Sequence, residues 1–136
     1  MASNLKYSTA LKTSQQAAIS TAAGASAILT LYSGSQPASP DTAVTSQVAL
    51  STHTCAATFG TAASGVLTVG AIGNGTGTAG AGAGTNATWY RLTTSGGTAL
   101  VDGTVAISGA DLNINNVNIA TSQTVQITSW TLTNGN

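Results

Sequence analysis

The sequence predicts a mainly β fold, an antiparallel β-sandwich or jelly roll with one short N-terminal α-helix. Two observations carry this expectation. Helical periodicity is confined to residues 8–23, and beyond Gly24 the chain turns to β-branched and small residues broken by Gly, Pro, Ser and Asn at short intervals. Several short strands without helices between them fit an antiparallel sandwich and not a parallel α/β fold. The expected organisation is a helix or arm over residues 1–24 and one β-sandwich domain over 25–136, with a glycine-rich loop at 73–86.

In the helix, Ala10, Leu11, Ala18, Ile19, Ala22 and Ala23 recur at helical spacing, Ser8 is placed to cap the first turn, and Gly24 is placed to end the last. A narrow face made mostly of alanine cannot hold such a helix alone, so it is expected to pack on a sheet or a neighbouring subunit. Residues 27–33 alternate as a buried strand does, and residues 33–41, with Gly34, Pro37 and Pro40, form a loop. Further strands are expected at 47–54, 66–72, 86–94, 98–108, 111–120 and 123–133. Turns are expected at Ser64-Gly65, Ser95-Gly96-Gly97, Ser108-Gly109 and Thr121-Ser122. The tract 73–86, GNGTGTAGAGAGTN, has no side chain larger than Thr or Asn. It reads as a mobile or extended arm that becomes ordered against a neighbour.

Charge is nearly absent. The 136 residues include three Lys or Arg (Lys6, Lys12, Arg91) and three Asp (Asp41, Asp102, Asp111), no Glu, and a net charge of zero. Ordinary domains devote roughly a quarter of their positions to charge. A surface of neutral hydroxyls and amides has little long-range repulsion and meets a partner without stripping water from ions, which favours assembly. Three cations do not grip a duplex, so no direct nucleic-acid contact is expected. No apolar run reaches the roughly 18 residues of a membrane span, and residues 1–24, Ser-rich but without Arg, read as mature protein and not as a transit peptide.

Catalytic and cofactor motifs are weak. Gly75-Thr-Gly77-Thr-Ala-Gly80 matches G-x-G-x-x-G, but it runs into more glycine and then a strand, not the helix a pyrophosphate needs. One Cys, one His and three scattered Asp make no metal set, and no cofactor is expected. Cys55 has no basic neighbour to activate it and reads as structural. A hydrolase would need His53 with a serine and an aspartate in a concave pocket, yet no serine is marked by a G-x-S-x-G elbow. Asp102-Gly103 and Gly109-Ala110-Asp111 read as turns. The most distinctive short segment is Trp89-Tyr90-Arg91: on a strand, Trp89 and Arg91 share one face and Tyr90 takes the other. Two readings stand for it, an interface or a core Trp beside a salt-bridged Arg. A carbohydrate-binding module would use Trp89 or Trp130. The candidate interface residues are Leu11, Ile19, Pro37, Pro40, Trp89 and Arg91.

Read in order, the helix, Ile28-Leu-Thr-Leu-Tyr-Ser-Gly34 with Gln36-Pro37-Ala-Ser-Pro40-Asp41, Ala87-Thr-Trp89-Tyr-Arg91, Ala99-Leu-Val-Asp102-Gly-Thr-Val105, Ser108-Gly-Ala-Asp111-Leu-Asn-Ile114 and Val125-Gln-Ile-Thr-Ser-Trp130-Thr-Leu-Thr133 resemble small virion proteins of tailed bacteriophages, encoded among the head and tail genes. Within that class the resemblance is to capsid decoration or cement proteins, often sandwich-like oligomers that clamp capsomers. It implies a homo-oligomeric, non-enzymatic structural protein on the capsid exterior whose partner is the major capsid protein. A tail or neck component is the alternative.

Overall fold

The computed structural model describes residues 4–133, so residues 1–3 of the expected N-terminal arm lie outside the described residues. The fold is mainly β, with one helix and a curled, mixed eight-stranded sheet. Helix α1 (Thr9–Ala23) is followed by β1 (Ile28–Tyr32), β2 (Ala49–Thr54), β3 (Gly60–Ala63), β4 (Val66–Val69), β5 (Gly75–Thr76), a single 3-10 turn (Ala79–Ala81) and β6 (Thr85–Asn86). β7 (Trp89–Thr93), β8 (Ala99–Ala106), β9 (Leu112–Ile114), β10 (Asn118–Ile119), β11 (Thr124–Val125) and β12 (Ile127–Thr133) complete the chain. The large sheet has the order β2-β1-β7-β8-β9-β12-β4-β3, and β10-β6 and β11-β5 form two small ladders.

The curl is evident in the aromatic contacts. β7 and β12 are three positions apart, about 14 Å in a flat sheet. Yet the rings of Tyr90 on β7 and Trp130 on β12 meet edge to face at 5.1 Å, and Phe59, just before β3, meets Trp130 at 5.5 Å. The Trp130 indole donates to the Tyr90 hydroxyl at 3.1 Å, which gives both buried polar tips a partner. Around them Leu29, Leu31, Leu67, Leu92, Leu112, Ile114 and Val125 fill the interior.

Both helix ends form as the sequence expects. The Ser8 hydroxyl accepts from the Leu11 amide, and Gly24, at φ +68°, donates to the Ser20 carbonyl. The buried face forms only in part, through Ala23 and Ile19. Leu11, Ala10, Ala18 and Ala22 point outward, while Gln16 and Ala23 are buried and Thr13, Ile19 and Ser20 half-buried. The helix docks on the β3–β4 hairpin through neutral hydrogen bonds. The Ser20 hydroxyl donates to the Gly60 carbonyl at 3.0 Å and accepts from the Gly60 amide at 3.2 Å, and Thr13 Oγ1 accepts from the Gly65 amide at 3.0 Å. Ser20 thus pairs both outward-facing backbone groups of an edge residue, as a neighbouring strand would.

Two further expectations are corrected. Alongside its antiparallel pairs the sheet contains a parallel pair, β8 with β9, at Val105↔Leu112 and Ala106↔Asn113. Parallel neighbours ordinarily need a crossover of a dozen or more residues. Here residues 107–111 suffice because only two pairs are made and Asp111 pins the jog: its carboxylate accepts from the Thr104 amide and hydroxyl at 2.9 and 2.8 Å. Asp111 therefore does the turn chemistry expected of it. Asp102-Gly103 does not, because both residues lie inside β8, where Gly103 is paired with Tyr90 and a Cβ would come within 2.6 Å of its ring.

The glycine-rich tract is the other correction. It is built into the fold along the outer edge of β2: Gly73 donates to the Thr54 carbonyl, Thr78 to the Leu50 carbonyl, and Ser51 bridges Gly77. β5 and β6 within the tract pair with β11 and β10, and Ala81 is fully buried. Absent side chains permit this close approach, since a Cβ on Gly75 would lie 2.7 Å from the His53 ring and one on Gly77 would overlap the Ala120 carbonyl. Gly77→Ala is expected to lower stability by about 2–3 kcal/mol through overpacking. Gly73→Ala, whose Cβ would make ordinary contact at 3.5 Å, should cost far less. Urea midpoints of the two variants check the contrast.

Candidate functional site

Strand β7 lies inside the sheet and is covered on both faces, so its first four residues are all buried. Tyr90 faces the aromatic interior, where burial pushes its phenol up to about 12. Trp89 and Arg91 face the other way, under the long connection between β1 and β2. Trp89 stacks on Tyr32 at 4.5 Å and donates its indole N–H to the Ser33 carbonyl. Arg91 sits opposite Asp102 in the β7–β8 register and meets it as a fork: Nε to Oδ1 and Nη2 to Oδ2, both 2.7 Å. Its remaining reach goes to the loop, with Nη1 donating to the Thr42 carbonyl at 3.0 Å and Nη2 to the Ser39 carbonyl at 3.3 Å. The guanidinium also lies 5.5 Å from the centre of the Trp89 ring.

The pair's side chains are only 7% and 1% exposed, and the bonds to Asp102 hold Arg91 above its usual range against the desolvation that opposes it. Of the candidate interface residues, Trp89 and Arg91 are therefore internal: they hold down the proline loop, and neither presents a surface to a partner. Pro37 and Pro40 are half-buried in that loop, Ile19 is half-buried under the helix, and Leu11 is 47% exposed. Trp130 is buried as well, so no indole is offered to a sugar ring.

His53 has the serine but not the aspartate of a hydrolytic triad. On a strand, residues two apart share a face, and Ser51 and His53 of β2 are both fully buried on one side. The Gly73 carbonyl accepts from His53 Nδ1 at 3.0 Å, which leaves Nε2 as the acceptor for the Ser51 hydroxyl, also at 3.0 Å. A main-chain carbonyl stands where a triad has its carboxylate. The ring is wedged beside Gly75, and both residues are fully buried. As arranged, the pair ties the glycine-rich tract to β2. In the sequence only the Ser-x-His spacing signals this pair.

Cys55 is buried and its thiol is pushed up to about 11 by desolvation, so it is not a thiolate nucleophile. Among the described residues no three His, Cys, Asp or Glu side chains gather as a metal site would require, and no helix is long and apolar enough to cross a membrane. At Gly75, Gly77 and Gly80, the glycines of the nucleotide-like motif, a Cβ would meet His53, Ala120 and Val48. A cleft of about 210 Å³ lies between residues 69–72 and 127–130. Nothing in the sequence marked it, because it arises from how two distant strands part. Comparison with protein-family models, with curated proteins and with solved structures gives no match in any of the three.

Two outcomes test the site. Asp102→Asn leaves a buried guanidinium without its counter-charge, and the urea midpoint should fall by the equivalent of about 3–5 kcal/mol. For His53, burial lowers the pKa below 6.5 and the Gly73 hydrogen bond opposes this only in part. The unfolded chain then binds the proton more readily than the folded one. The contribution is complete above about pH 6.5 and is lost as the pH falls toward the lowered folded value. Stability should fall as the pH drops from about 6.5 toward the lowered folded value, with a shallower fall in His53→Gln.

Proposed function

We propose that this chain is a structural assembly protein of a bacteriophage virion, most specifically a capsid decoration or cement protein. It would act as a homo-oligomer on the capsid exterior, bound to the major capsid protein. The resemblance of its ordered segments to that class supports the reading. The single observation that carries it is where the charges go. Arg91 and Asp102 neutralise each other inside, which leaves Lys6, Lys12, Asp41 and Asp111 as the only charges outside that pair among the described residues. The exterior is otherwise hydroxyl, amide and small apolar surface, with Leu5 and Leu11 exposed at the start of the helix. Such a surface is suited to broad neutral contact and ill suited to gripping phosphates.

The curled sheet, with Tyr90, Trp130 and Phe59 between its halves, serves in this reading as a rigid sandwich-like block. Binding only the assembled, expanded shell would stabilise that shell by mass action. A tail or neck position is the second reading within the same class, and copy number separates the two. Decoration requires hundreds of copies per particle, and a neck or tail part only a few to tens.

Shells assembled with this protein should release their DNA at a higher temperature than shells without it, read by dye access during a thermal ramp. Equal release temperatures contradict the cement role. Densitometry of intact particles at neck stoichiometry would move the protein to the second position.

A further inference from the structure

β12 pairs with β4 only at its C-terminal end, over Thr131↔Thr68, Leu132↔Leu67 and Thr133↔Val66. Continued at the same register, the ladder would set 130 against 69, 129 against 70, 128 against 71 and 127 against 72. Those eight residues are the lining of the 210 Å³ cleft. The cleft is thus a stretch of ladder that is not made, opened where two strands part.

Both walls show why they part. On β12 the register with β9 slips between Ile127 and Ser129, so Thr128 is the extra residue of a bulge and has no partner on β9. A bulge bends and twists its strand and ends regular pairing. On the other wall, Gly70 donates to the Phe59 carbonyl at 2.8 Å and Ile72 bridges Cys55, which commits both residues to the side away from β12. An extended backbone through 70–72 would then turn the amide and carbonyl of Ala71 toward the cleft. Ala71 and Thr128 are both exposed.

We propose that this cleft is a strand-acceptor slot, which takes an extended, uncharged peptide segment of a partner chain by main-chain pairing with Ala71 and Thr128. Open strand edges are templates for added strands, with main-chain bonds supplying affinity. No charged side chain lines the slot, so a charged segment would meet no counter-charge there. Gly70, Ala71, Thr128 and Ser129 are small enough to let a backbone approach. The inference stands on the slot alone and does not depend on the partner being a shell protein.

The test uses the full chain, isotope-labelled, titrated to millimolar concentration with the blocked peptide acetyl-Thr-Val-Thr-Val-Thr-amide. Amide shifts should be confined to residues around 69–72 and 127–130, with slower exchange at Ala71 and Thr128. The same peptide methylated on its main-chain nitrogens should bind at least about tenfold more weakly, a loss of about 1.4 kcal/mol. Ala71→Pro, which removes the donor, and Thr128→Trp, which fills the slot and keeps its main chain, should each abolish the shifts. Absence of shifts, shifts elsewhere on the surface, or equal binding of the methylated peptide would overturn the proposal.

Discussion

A chain with almost no charge must still satisfy every polar group it buries, and this constraint organises the molecule. A buried donor or acceptor left unpaired costs roughly 1–3 kcal/mol, and a fold can absorb few such losses. Among the described residues, no buried side-chain nitrogen or oxygen lacks a partner. Neutral groups meet nearly all of this demand. Ser20 bonds both backbone groups of Gly60, Ser51 and Gly73 hold the two nitrogens of His53, and Trp130 and Tyr90 pair their polar tips. The buried charge pair obeys the same logic. Asp102 neutralises Arg91, and main-chain carbonyls of Ser39 and Thr42 take further guanidinium donors, so the pair anchors the loop as well as its two strands.

The architecture depends on this pairing. The long connection before β2 is fixed by Arg91 and Trp89 from below, and the edge of β2 is closed by the glycine-rich tract through main-chain bonds and His53. The opposite edge of the sheet, β3, is met by the helix through Ser20. Both edges are thus engaged by segments of the same chain through hydrogen bonds between neutral groups. The break in the β4–β12 ladder is a different case, because it lies inside the sheet and not at its rim.

Local chemistry was legible in the sequence and long-range pairing was not. Ser8 and Gly24 cap the helix as expected, because a cap is decided within four residues. Asp111 bonds Thr104 seven residues back, still within one short connection. The buried face of the helix departs from its apolar periodicity because its target is a polar strand edge, so Ser20 and Thr13 face inward in place of Leu11 and Ala18. β3, the sequence GTAA, carries no β-branched or aromatic signal beyond one Thr and is a strand only through its hairpin with β4. The tract 73–86 reads as mobile because its side chains are small, whereas that smallness lets its backbone lie against His53 and Ala120. The ion pair of Arg91 with Asp102 depends on the β7–β8 register, which no local pattern encodes.

Neutral hydrogen bonds, apolar packing and a buried ion pair hold this fold, with surface charge contributing almost nothing. Salt attenuates exposed charge interactions and leaves buried pairs largely untouched. The decisive comparison is the urea unfolding midpoint of the full chain near neutral pH, in low salt and in about 1 M sodium chloride. The two midpoints should agree within error. A clear drop in high salt would mean that exposed charges stabilise the fold, contrary to the balance of forces described for it.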